Sequence, residues 1–187
     1  LKVNMEFKWI LFGAVLVINA FFAISISFFV AKKFIVPGRN ALIFVLVSLA
    51  VWSFGYAMIT FSTSVADKKF WLRVENIGIN SQPVLWLYFV LTYSRRNKLT
   101  LWPFVVMFCI IPFIALSFIF SDRWFHLYYA SISLVSEIGG PLVVQRGPWY
   151  WAAFFQSYAL NIISTLLLIW RFISFRDIFR RQLGFLI

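Results

Sequence analysis

The stretch FWLRVENIGINSQPVLWLYF, residues 70–89, sets Arg73, Glu75, Asn76, Asn80 and Gln82 among aromatic and aliphatic neighbours. A carboxylic acid, a guanidinium and three amides so close together could bind an ion or a small polar ligand, or hydrogen-bond adjacent helices. At about 100° per residue, Arg73, Asn76 and Asn80 share one face of a helix, and Glu75 and Gln82 lie nearly opposite. Elsewhere such residues are sparse. The sole histidine, His126, has Asp122 and Glu137 near it in sequence, and the sole cysteine, Cys109, sits inside an apolar run. One histidine and scattered acids fall short of the three or four ligands of a metal site. A single cysteine excludes an intrachain disulfide and a cysteine metal cluster. His126 reads first as a loop residue hydrogen-bonded to backbone; a ligand or pH-sensing role, which its ordinary pKa would suit, comes second. No cofactor is implied.

The elements that position these residues must live in lipid. Of 187 residues, 63% are hydrophobic and 12% charged, and mean hydropathy is +0.89. Soluble domains are about 45–50% apolar and about 25% charged, so this apolar surface exceeds what one water-soluble core of this length can hide. The net charge of +11 and pI near 10.2 do not point to nucleic acid. The basic residues form short clusters between apolar runs, the pattern of membrane topology rather than of a basic groove.

About 20 apolar residues cross a hydrocarbon core of about 30 Å. Five stretches qualify, at approximately 9–31, 41–61, 70–93, 101–120 and 149–170. The first is too long for a signal-peptide core and lacks a convincing cleavage site, so it reads as a retained helix. Gly147-Pro148 suits the start of the last. Basic residues then divide as ten on one side (Lys32, Lys33, Arg39, Arg95, Arg96, Lys98, Arg171, Arg176, Arg180, Arg181) and seven on the other. The positive-inside rule places the richer side in the cytoplasm and the N-terminus outside, in a plasma or inner membrane. Trp71, Trp124, Trp149 and Trp151 would mark the outer boundary, and Tyr93, Trp102 and Trp170 the inner one.

The outer loop, 121–148, contains YYASISLV, then GGP, then LVVQ. Alternating β-branched residues on either side of a Gly-Pro break predict a short β-hairpin over the outer mouth of the bundle. Residues 171–182 carry apolar positions at 172, 175 and 178/179 among arginines, as an amphipathic cytoplasmic connector would. A new apolar run, 183–187, reads as the start of a sixth span, and Leu1 at the start suggests a piece of a longer protein. The expected fold is therefore an all-α polytopic membrane helix bundle: one domain over 1–187, five complete transmembrane helices, the start of a sixth, and a short hairpin-like outer loop.

On this layout Glu75 lies only roughly 7–8 Å below the outer end of its helix at 1.5 Å rise per residue. Polar groups at that depth face the bundle interior or a wet cavity and mark function by default. The structural alternative is interhelical hydrogen bonding, worth about 0.6 kcal/mol on average, with Asn161 of the last span as a partner. Both readings stand: an outward-facing cavity lined by Arg73, Glu75, Asn76, Asn80 and Gln82, or helix-to-helix contacts. Pro83 is expected to kink the helix and free carbonyls beneath the cluster.

The order of NIGINSQPVLWLYFVLTYSRR (76–96), a proline-bearing span, HLYYA (126–130), GPWYWAAFFQSYAL (147–160) and FRRQ (179–182) resembles the N-terminal seven-transmembrane region of bacterial histidine kinases. The same membrane module is also found ahead of diguanylate cyclase modules. The resemblance runs through five spans and the entry to the sixth; the last two helices and any output module are not in the sequence. It implies an outside N-terminus, a long loop after the fourth span, and a sensory input domain whose stimulus shifts helix packing and so a cytoplasmic kinase or cyclase module of the same parent chain. A kinase output also suggests a homodimer. Arg73, Glu75, Asn76, Asn80, Gln82 and His126 are where differential binding of a stimulus is expected.

The chain itself carries no glycine-rich nucleotide loop and no convergent set of acids or histidines, so it is not expected to be an enzyme. The competing reading, a fragment of a transporter or other multi-span protein, predicts inverted repeats and broken midplane helices. The sequence shows no internal duplication, and Pro83 and Pro112 do not occupy corresponding positions of two halves. The expected partners are the lipid bilayer and the parent's output module, without nucleic acid.

Overall fold

The computed structural model describes residues 2–33, 38–94, 102–121, 123–134 and 142–184. Its elements are α1 (Lys2–Lys33), α2 (Arg39–Phe61), α3 (Val65–Ser94), α4 (Trp102–Phe120), a short α5 (Phe125–Tyr128), strands β1 (Tyr129–Leu134) and β2 (Leu142–Arg146), and α6 (Pro148–Gly184). Each of the five apolar stretches falls on a long helix, the fourth from Trp102 onward. Three segments are long and apolar enough to cross a membrane by length and composition: Phe7–Lys33, Arg39–Phe61 and Pro148–Arg171. Within α4 the apolar helix counted from Val105 to Phe120 is shorter, and α3 carries too much polarity to qualify on composition.

Several boundaries differ from those read in the sequence. α1 and α3 begin ahead of their apolar stretches, because polar turns with good helix formers simply extend them. Neither Pro83 nor Pro112 breaks its helix. The connector 171–182 is not separate: it continues α6, which also takes in Leu183 and Gly184, the first residues of the expected sixth run. Residues 185–187, Arg95, Arg96, Lys98, Asp122 and Glu137 lie outside the described residues.

How the helices meet follows from side-chain size. α1 buries Gly13, Ala20, Ala23, Ser27 and Val30, a seam of mostly small residues at three- and four-residue spacing. Ala20 and Ala23 meet Ala50 of α2. Small residues let helix backbones approach where no hydrophobic driving force separates protein from lipid. α2 and α3 come closer still. A Cβ at Gly78 would lie 2.6 Å from the Trp52 backbone nitrogen, and a Cβ at Gly55 would lie 2.8 Å from the backbone of Glu75. Two reciprocal glycine contacts therefore hold this pair together.

The buried interior has two apolar centres. Ile59, Leu72, Ala115, Ile119, Phe125, Tyr128, Tyr129 and Ala153 form a cluster at the hairpin end of the bundle. Val84, Leu87, Val105 and Leu160 form a second between α3, α4 and α6. The surface is also apolar: Phe21 is 70% exposed and Phe113 73%. Contiguous exposed rings of this kind are a liability in water and the expected covering of a bundle in lipid. α3 is the exception, with Glu75, Asn76 and Asn80 buried. Its exposed residues between 70 and 93 are Phe70, Ile77 and Tyr93.

The last turn of α2 shows how one helix end is satisfied. Orphan carbonyls are inevitable at a helix C-terminus. Thr60 Oγ1 donates to the Tyr56 carbonyl at 3.0 Å, Ser62 Oγ to Met58 at 2.6 Å, and Lys68 Nζ to Ile59 at 2.8 Å. Lys68 is only 1% exposed. Its ammonium suits the negative end of the helix dipole, while burial pushes its pKa below the ordinary lysine value.

The hairpin follows its turn signals. β1 and β2 pair antiparallel in the register Ile132↔Val144 and Leu134↔Leu142, with an irregularity between Tyr129 and Ser131. Gly147 then joins β2 to α6, its N–H donating to the Tyr128 carbonyl at 2.8 Å. A Cβ at this buried glycine would collide with the Leu127 carbonyl, so no other residue lets the strand turn so sharply into α6 against α5.

Candidate functional site

Beneath the hairpin lies a cavity of about 590 Å³, within the range of about 300–1,000 Å³ of small-molecule sites. α1 contributes Phe12, Leu16 and Asn19 to its wall, and α2 contributes Trp52, Ser53 and Tyr56. From α3 come Leu72, Glu75, Asn76 and Ile79. Tyr128 and Tyr129 with Leu142, Val144 and Arg146 of β2 close it from the hairpin side, and Tyr150 of α6 completes it.

Glu75 is 8% exposed and carries the only carboxyl group on this wall. Trp52, whose indole N–H can only donate, lines the same wall. Among the described residues no metal-sized group of three histidines, cysteines or acids occurs. Asn19 Nδ2 donates to Ser53 Oγ at 2.7 Å, which adds a polar edge where α1 meets α2.

Asn76 is 1% exposed and works mainly as an anchor for the roof. Its Nδ2 donates to the Leu72 carbonyl at 2.7 Å and to Tyr129 Oη at 2.9 Å, and the Tyr129 hydroxyl returns a bond to Asn76 Oδ1 at 3.2 Å. Asn80 Nδ2 donates to the Asn76 carbonyl at 3.0 Å and reaches Tyr128 Oη at 3.5 Å. The two tyrosines stand edge-to-face with ring centroids 4.8 Å apart, and Tyr150 lies 5.6 Å from Tyr128.

The remaining residues singled out in the sequence do not line the cavity. Arg73 Nε donates to the Ile119 carbonyl at 3.2 Å and so ties α3 to the end of α4. Gln82 exchanges hydrogen bonds with Asn161 of α6 at 3.3 and 3.4 Å, the partner anticipated for the interhelical reading. His126 is exposed on α5. The cluster thus divides: Glu75 and Asn76 reach the cavity, Asn76 and Asn80 hold its roof, and Arg73 and Gln82 join helices.

Residues 15–187 match the family described as the N-terminal 7TM region of histidine kinase. The chain belongs to that family. No curated protein and no solved structure is similar enough to match it. As a histidine kinase 7TM region the chain is a multi-pass membrane sensory domain rather than a catalytic one, and a kinase module is suggested for its parent. Within this member of the histidine kinase 7TM family, the wall residues missed in the sequence are chiefly aromatic: Phe12, Trp52, Tyr56, Tyr128, Tyr129 and Tyr150. Their one signal was the adjacent pair in HLYYA, since single rings inside apolar runs are indistinguishable from core or lipid-facing ones.

The roof makes a prediction of its own. Burial pushes the Tyr128 phenol up to about 12 and the Tyr129 phenol well above its ordinary value, with the amide bonds from Asn80 and Asn76 opposing in part. A phenol whose pKa is higher in the folded than in the unfolded state stabilises fully below the unfolded value, about 10, and that contribution is lost as pH rises through the folded one. Alkaline titration followed by tyrosinate absorbance should therefore show tyrosines among the seven that ionise above the ordinary phenol value, with the roof loosening only as pH climbs above about 10. Ionisation of all seven in one step near the ordinary phenol value would contradict the packed roof.

Proposed function

We propose that this chain is the input domain of a membrane-bound histidine kinase that senses a small molecule in the cavity under the hairpin. The single observation that carries this reading is a continuous mechanical connection. The strand that roofs the cavity, β2, passes through one buried glycine into α6, which runs unbroken for 37 residues. At 1.5 Å per residue α6 measures roughly 55 Å, enough to cross a bilayer and emerge beyond it. A ligand that binds one roof position better than another biases the packing of α6, and the shift in population is the signal.

In this reading α3 and α4 also cross, making five spans, with the N-terminus and hairpin extracytoplasmic and the basic end of α6 in the cytoplasm. Support for a crossing α3 comes from its surroundings: α2, α4 and α6 pack around it, Glu75, Asn76 and Asn80 turn inward, and its exposed residues between 70 and 93 are aromatic or aliphatic. Glu75 and Asn76 are the residues proposed to meet the stimulus; Arg73, Asn80 and Gln82 transmit or hold. The exposed His126 is assigned no contact with the ligand. The output is a kinase module, taken from the family, working as a homodimer.

Leu16→Trp, which fills the cavity from α1, tests the proposal in the full-length parent reconstituted in vesicles. Allosteric couplings are typically about 1–3 kcal/mol, so autophosphorylation should change about fivefold or more in either direction. Autophosphorylation indistinguishable from wild type, with the protein folded, would remove the cavity from the signalling path.

A further inference from the structure

We infer that the cavity takes an organic ammonium ion with an apolar body, its charged end toward Glu75 and its body against the surrounding rings. This deepens the reading of the cavity as the input site and rests on it. The wall combines one buried carboxyl group with six aromatic side chains, and Arg146 of β2 is its single basic residue. Among the described residues Glu75 has no ion-pair partner, although Arg146 lines the same cavity. The Arg146 guanidinium instead lies over the rings of Tyr150 and Trp151, 4.9 and 5.6 Å from their centroids.

Taking a carboxylate out of water without a counter-charge is costly, and a ligand carrying one positive charge supplies it. Ring faces attract the same cation through their quadrupoles, an effect that grows when water is excluded. A bare metal ion fits poorly, because no cluster of three ligating side chains occurs among the described residues and an aromatic wall cannot complete its shell. An anion would meet Glu75 unfavourably. A compact amine with an aryl or alkyl body satisfies both halves of the wall.

The chain in lipid nanodiscs is titrated by calorimetry with phenethylamine and with its neutral isostere, phenethyl alcohol. The amine should bind at least about tenfold more tightly than the alcohol, a gap expected from a desolvated charge pair. Glu75→Gln should abolish the preference, and Leu16→Trp should weaken both ligands. The comparison of the two ligands on wild-type protein stands even where Glu75→Gln fails to fold. Equal affinities, both lost in Leu16→Trp, would overturn the ammonium assignment and leave the sensory reading intact. A preference undiminished in a folded Glu75→Gln protein would overturn the role of Glu75, and binding of neither ligand would overturn the ligand class.

Discussion

Gly78→Leu is expected to abolish stable packing of α2 on α3. The added Cβ alone would lie 2.6 Å from the Trp52 nitrogen and 2.8 Å from Trp52 Cβ, and the rest of a leucine has nowhere to go. The helices cannot slide apart locally, since Gly55 holds them equally close against Glu75 one turn-pair away. Overpacking typically costs about 1–3 kcal/mol; backbone rather than a mobile side chain opposes this substitution, so the upper end, about 3 kcal/mol, is expected. The consequence reaches the site, because Glu75 and Asn76 lie just before Gly78 on the same helix and Trp52, which meets Gly78, lines the same cavity. Thermal unfolding in detergent should show a large drop in midpoint or no monodisperse protein. Gly13→Ala is the control: the new methyl would meet the far end of the Phe61 ring, which can rotate away, so its midpoint should hardly move. A Gly78→Leu protein melting like wild type would show that the α2–α3 approach is not what holds the cavity.

Much of the architecture was legible because lipid makes strong demands on sequence. Runs such as 41–61 have one structural use, and Gly147-Pro148 marked a helix start that α6 adopts. YASISL, within YYASISLV, and LVVQ on either side of GGP fall in the two paired strands. On the third stretch Glu75 packs against Gly55 of α2, while Asn76 and Asn80 turn to the tyrosines and Arg73 to α4. Gln82, on the same face as Glu75, meets a different helix, because what a helical position meets seven residues on depends on where each neighbour lies. Gln82 meets α6.

The cavity itself could not be read. Its walls come from all three first helices, the hairpin and α6, and contacts between positions as distant as Asn76 and Tyr129 leave no local pattern. Polar residues in an apolar run announce themselves; the aromatic residues that enclose them do not. The last helix also runs on past its apolar span through the connector, because an amphipathic turn continues a helix without any local break.

The proposed account depends on which aqueous phase the hairpin faces, since a cavity roofed on the cytoplasmic side could not receive an extracytoplasmic stimulus. Ser131 on β1 and Asn40 at the start of α2 are both exposed and lie at opposite ends of the bundle in the proposed topology. With Cys109, exposed on α4, replaced by serine, single cysteines at these two positions can be probed in intact cells with a membrane-impermeant maleimide. The account predicts near-complete labelling at Ser131→Cys before lysis, and at Asn40→Cys only after it. Labelling of Asn40→Cys in intact cells, with Ser131→Cys protected until lysis, would contradict it.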